Sequence, residues 1–81
     1  MREADIIYKA KAVLSFAARG GLRASLFVDT VAEDAEMLMA EVLKGVPKSQ
    51  TNVVERAITE WRNDHAWLAG LPDKIEGENL Q

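Results

Sequence analysis

The 81-residue chain contains no cysteine and a single histidine, His65. Without cysteine it can form neither a disulfide framework nor a thiolate metal site. One histidine is too few for the usual transition-metal ligand sets, and no acid, base and nucleophile stand together along the chain. We therefore expect a protein that is not an enzyme, with no catalytic residue, no bound metal and no cofactor.

Long apolar runs are also absent. The apolar stretches, such as residues 37–40, are short and interrupted by charge, whereas a membrane-spanning helix needs about 20 apolar residues. Residues 1–5 lead into an amphipathic, lysine-containing segment, which is unlike the unbroken apolar core of a secretion signal. We expect a cytoplasmic protein without a membrane partner.

The net charge is −3, and acidic side chains concentrate in residues 29–43, which contain no basic one. A general nucleic-acid coat would need a net basic field. The charge therefore does not favour a nucleic-acid partner.

Glycine and proline divide the chain into three periodic stretches, about residues 3–19, 22–44 and 51–69. In each stretch, apolar residues recur at alternating steps of four and three, which is the period of a helix. The second stretch shows six consecutive matches, at Ala24, Val28, Val31, Ala35, Leu38 and Val42.

Three such helices with short connections predict an all-α fold, either an antiparallel three-helix bundle or a helical hairpin with an extra N-terminal helix. We expect a single domain over residues 1–70 and a mobile C-terminal tail over residues 71–81. A chain this short buries only about 60% of its unfolded surface, so dimerisation is expected to complete the fold. The candidate interface residues are Val28, Val31, Ala35, Leu38, Met39, Val42, Trp61, His65 and Trp67.

A second interpretation starts from Thr30 and Glu33, which form a capping-box pattern in the middle of the second stretch. If a helix begins near Thr30, residues 22–29 can be extended. Residues 49–61, SQTNVVERAITEW, are then similar to the second helix of the ribbon-helix-helix family, with two hydroxyls, paired aliphatics, alanine and isoleucine. The resemblance covers residues 24–62 and implies a dimeric DNA-binding transcriptional regulator or antitoxin with a strand at residues 23–29.

The segment Arg19-Gly20-Gly21-Leu22-Arg23 suggests a third interpretation. Two glycines before a helix let the backbone turn its amides toward an anion, and arginines bind phosphate oxygens bidentately. Arg19, Gly20, Gly21 and Arg23 are therefore a candidate phosphate- or nucleotide-binding site. The alternative is an ordinary connection whose glycines end the first helix.

The leading hypothesis is a small helical interaction module, forming a homodimer, that binds and regulates or inhibits a protein partner. Size, acidity and alanine-rich composition are typical of small inhibitors and adaptors from bacteria and phages. The ribbon-helix-helix regulator and the nucleotide-binding helical protein are the two alternatives.

Overall fold

The computed structural model describes residues 1–27 and 32–71, with the side chain of Ala32 left out. These residues form four α-helices, which we number α1 (Glu3–Arg19), α2 (Arg23–Phe27), α3 (Ala32–Leu43) and α4 (Thr51–Asp64). Short 3₁₀ helices lie at Lys48–Gln50 and Ala66–Gly70. No strand occurs in the described ranges, so the predicted all-α class is confirmed.

The strand that the ribbon-helix-helix interpretation places at residues 23–29 is wrong for its first five residues, because these form α2. Ser25 and Leu26, which are neighbours in sequence, are both buried, at 3% and 2% exposure. Successive side chains of a strand point to opposite faces, whereas one turn of helix can turn two neighbours toward the same core. Residues 28–31, which include Thr30 and decide whether the second predicted helix is continuous, lie outside the described residues.

The third predicted helix, residues 51–69, is α-helical only as far as Asp64. Beyond it, the Leu68 amide donates to the His65 carbonyl, three residues back, which is the hydrogen bond of a 3₁₀ helix. The predicted single domain and mobile tail stay predictions, since residues 72–81 are not among those described.

Helices α1 and α4 run in the same direction along each other. Arg56 pairs with Glu3 near the start of both helices, at 3.0 Å, and Lys11 pairs with Glu60 further along, also at 3.0 Å. Helix α3 runs the opposite way. Lys9, in the first half of α1, donates to the carbonyl of Lys44 just after the end of α3, whereas Phe16 and Gly20 at the other end of α1 line one groove with Met37, which lies earlier in α3.

The core lies between these helices, and its side chains follow the helical periods of the sequence. It is built by Ile6, Ala10, Leu14, Ala17 and Ala18 from α1, Leu26 from α2, Val42 from α3, and Val53, Val54, Ala57, Ile58 and Trp61 from α4. Trp61 is the largest of its fully buried side chains. None of the helices in the described part of the chain combines the length and apolar character needed to cross a bilayer.

Candidate functional site

Two concave surfaces stand out. The first, which we call the arginine–tryptophan pocket, is a cavity of about 240 Å³ where the end of α1, the start of α2 and the end of α4 meet. Its lining consists of Ser15, Ala18, Arg19, Arg23, Trp61, His65, Trp67 and Leu68. The structure thus brings together the arginines of the predicted anion site and three aromatic residues that the sequence assigned to an interface.

Trp61 forms the buried wall of this pocket. Its indole Nε1 donates a hydrogen bond of 2.9 Å to the hydroxyl of Ser15 on α1. Its ring stacks on His65, with centroids 4.3 Å apart and planes inclined by 14°, and on Phe27 at 5.9 Å. A tryptophan this buried normally needs a partner for its N–H, and Ser15 provides it. Contacts from α1, α2 and the end of α4 therefore hold this wall in place.

His65 closes α4 and borders the pocket. Its Nδ1 lies 2.9 Å from the carbonyl oxygen of Trp61, which also accepts the His65 backbone N–H at 3.0 Å. A carbonyl oxygen only accepts, so this contact is a hydrogen bond when Nδ1 carries a proton. The imidazole is therefore held in one orientation against Trp61.

The two arginines give the pocket its charge. Arg23 Nη1 donates to the carbonyl of Ala18 at 2.9 Å, which holds its guanidinium at the pocket. Arg19 is exposed, and its guanidinium carbon lies 6.0 Å from the ring centroid of Phe16. None of the described residues that line the pocket is acidic, although the whole chain carries a net charge of −3. Both arginines therefore line the pocket, and the Arg23 guanidinium is held by a backbone carbonyl.

The glycines between the arginines have a structural role. The Leu22 amide donates to the Ala17 carbonyl at 3.0 Å, the Gly21 amide donates to Ala18 at 3.2 Å, and Gly21 has a φ of 96°. This is the hydrogen-bond pattern of a Schellman motif, which ends a helix with a residue in the left-handed region. The prediction that the Gly20 and Gly21 amides face an anion is wrong, because both amides are bonded to carbonyls of α1.

The second surface, which we call the α1–α3 groove, has a volume of about 280 Å³. It is lined by Val13, Phe16, Ala17, Gly20, Leu22, Met37, Leu38 and Glu41. Phe16 is 73% exposed and Met37 is 59% exposed, so two large apolar side chains face solvent at this groove. Ala4, Tyr8 and Ala12 precede Phe16 at steps of four on α1 and are exposed as well. Together they form an exposed apolar stripe that leads to the groove.

The remaining predicted interface residues occupy different environments. Val42 and Trp61 are buried within the single chain, so no second chain is needed to cover them. Ala35, Leu38 and His65 are half-buried, while Met39 and Trp67 are exposed. Val28 and Val31 lie outside the described residues.

Sequence reasoning missed Ser15 and Phe16. The spacing of Phe16 from Tyr8 and Ala12 is a signal for a second apolar stripe on α1, separate from the core stripe that begins at Ile6. Nothing local marks Ser15, because its role depends on Trp61, which follows 46 residues later.

Comparison with protein-family models, with curated proteins and with solved structures found no significant match for this chain.

Proposed function

We propose that this protein is a non-enzymatic helical interaction module that binds an amphipathic, basic helical segment of another protein in the α1–α3 groove, and thereby regulates or inhibits that protein. The observation that carries the proposal is the exposure of Phe16 and Met37 at an apolar groove beside an acidic helix.

Burial of apolar side chains in the groove would stabilise a complex. Covering a side chain such as phenylalanine or methionine contributes about 1.5–3 kcal/mol. Phe16 and Met37 are mostly exposed in the single chain, so a partner that covers them gains most of this contribution. An amphipathic helix suits a groove between two helices, because its apolar residues at steps of three and four enter it as a row of anchors.

The acidic side chains of α3 favour one class of partner. Helix α3 carries Glu33, Glu36 and Glu41 on its exposed surface and contains no basic residue. A partner helix with lysine or arginine beside its apolar face would meet these carboxylates with complementary charge. A second copy of this chain, docked by a two-fold axis through the groove, would instead bring two acidic α3 helices together. The charge therefore favours a different, basic protein over a homodimer at this surface.

A binding experiment with two synthetic helical peptides tests the proposal. Both carry the same apolar face, and the polar positions are lysine in one and glutamate in the other. Fluorescence anisotropy should detect binding of the basic peptide only. The Phe16→Ala/Met37→Ala variant should weaken this binding at least about tenfold, which corresponds to about 1.4 kcal/mol. Trp67→Ala, which removes an exposed apolar side chain that does not line the groove, should leave the affinity unchanged.

Charge and oligomeric state are measured in the same series. Replacing Glu33, Glu36 and Glu41 by glutamine should weaken binding of the basic peptide. It should also make the remaining binding less sensitive to salt, because the screened charge attraction is gone. Light scattering gives the mass of the free protein. If the free protein is a dimer and the Phe16→Ala/Met37→Ala variant is a monomer, the groove binds a second copy of the chain. That result would overturn the proposal. Equal binding of both peptides would overturn it as well.

The prediction that a homodimer completes the fold stays a prediction. The DNA-binding regulator is not carried further, because α2 occupies residues that its strand requires.

A further inference from the structure

We propose that Met37 is a site of reversible oxidation by peroxides, and that its sulfoxide lowers the affinity of the α1–α3 groove for the basic helix. This inference rests on the function proposed above, and it adds a chemical regulation of the same site.

Methionine is the main target that this chain offers to a peroxide. The sequence has no cysteine and three methionines, Met1, Met37 and Met39. Hydrogen peroxide transfers one oxygen atom to the thioether sulfur as its O–O bond breaks. The sulfur loses two electrons, and the peroxide, which gains them, leaves as water with both of its hydrogen atoms. The product is a sulfoxide, which methionine sulfoxide reductases convert back to the thioether.

Met37 is the methionine that a peroxide reaches at the groove. It is 59% exposed and belongs to the groove lining, while Met1 is exposed but does not line the groove. Met39 is less exposed, at 39%, and lines a different cavity together with the core residues Leu14 and Ile58. Residues two positions apart on a helix point in directions roughly 200° apart, so Met37 and Met39 lie on opposite sides of α3. Met39 is therefore a matched control on the same helix.

A sulfoxide at Met37 has no favourable partner within the groove. Oxidation converts the apolar thioether into a polar group whose oxygen accepts hydrogen bonds. None of the described residues that line the groove has a side-chain donor, and an ionised Glu41 offers only acceptor oxygens. A docked helix would press its apolar face onto the sulfoxide, and burial of a polar group without a hydrogen bond is unfavourable. Oxidation therefore replaces an apolar anchor by an unpaired acceptor.

Two variants that each keep one methionine of α3 test the assignment. Met39→Leu leaves Met37 to be oxidised, and Met37→Leu leaves Met39. Each variant is treated with hydrogen peroxide, and mass spectrometry of peptide fragments locates the sulfoxides. Fluorescence anisotropy then gives the affinity for the basic peptide before and after treatment. Treatment should weaken binding by Met39→Leu at least about fivefold, while Met37→Leu should stay within about twofold of its own starting affinity. A methionine sulfoxide reductase should restore binding by Met39→Leu.

Protection and folding are measured on the same samples. The bound basic peptide should slow sulfoxide formation at Met37 but not at Met1, because the docked helix covers only the former. Circular dichroism of the oxidised Met39→Leu variant should be unchanged, since Met37 lies outside the buried core.

The outcomes separate this inference from the function on which it rests. If the untreated protein does not bind the basic peptide, both are overturned. If it binds, three results overturn the oxidation site alone: an unchanged affinity of oxidised Met39→Leu, an equal loss in both variants, or unfolding of Met39→Leu on oxidation.

Discussion

The hydrogen bond between Trp61 and Ser15 predicts how much one hydroxyl contributes to stability. Trp61 is only 2% exposed, and its Nε1 has the Ser15 hydroxyl as its acceptor at 2.9 Å. Ser15→Ala leaves a buried N–H without that acceptor, which costs about 1–3 kcal/mol. For a chain of this size, a loss of about 2 kcal/mol lowers the melting temperature by about 8–16 °C. We therefore expect a clear shift from the removal of a single oxygen atom.

Urea unfolding followed by far-UV circular dichroism measures this cost without relying on tryptophan fluorescence. Ser49→Ala, at an exposed serine, is the matched control and should change the free energy of unfolding by less than about 0.5 kcal/mol. In a Trp61→Phe background the donor is absent, so Ser15→Ala should become nearly neutral, with a coupling energy of about 1–2 kcal/mol. If Ser15→Ala costs the same in both backgrounds, the hydrogen bond does not explain the effect and the reasoning is wrong.

Three further predictions concern the helix ends, the core and the surface. Gly45→Ala should cost about 1–2 kcal/mol because Gly45 has a φ of 79°, whereas Gly70→Ala, which also has open space around its Cβ but no such φ, should be nearly neutral in thermal unfolding. Ile6→Ala should cost about 2–5 kcal/mol in urea unfolding, since Ile6 is fully buried and its truncation leaves a cavity. Removing the exposed ion pair of Glu3 and Arg56 by either alanine substitution should cost less than about 1 kcal/mol, and less still in high salt.

The periodic pattern predicts the core well where one helix packs along its whole length. Ile6, Ala10 and Ala17 recur at helical steps in α1 and are buried. In α4, Val54, Ile58 and Trp61 behave in the same way. Such a pattern reports which face of a helix is apolar, and burial of that face is the main source of stability for a short helix.

The end of α4 at Asp64 could not be predicted, because no helix-breaking residue marks it. No glycine or proline occurs between residues 51 and 69, so the sequence gives no stop signal there. In the structure, both the backbone amide and the Nδ1 of His65 bond to the carbonyl of Trp61, and a 3₁₀ helix follows.

The candidate site was predictable only in pieces. Arg19 and Arg23 were singled out by their flanking glycines, while His65 and Trp67 were singled out as interface residues. Their meeting in one pocket depends on which residues at the ends of α1 and α4 face each other, and no local pattern encodes that. The glycine pair left two interpretations open for the same kind of reason. A sequence does not say whether two glycines offer their amides to a ligand or, as here, to the end of the preceding helix.

The parallel arrangement of α1 and α4 also has a kinetic consequence. Each contact that joins them closes a long loop, since Ser15 and Trp61 are 46 positions apart in the sequence and Glu3 and Arg56 are 53 apart. Closing loops of this length is entropically costly, and proteins with many distant contacts fold more slowly than those with local ones. We expect α1 to form its antiparallel contacts with α3 first and to acquire α4 last. The rate-limiting event in folding would then be the docking of α4 on α1, which is also the event that creates the wall of the pocket.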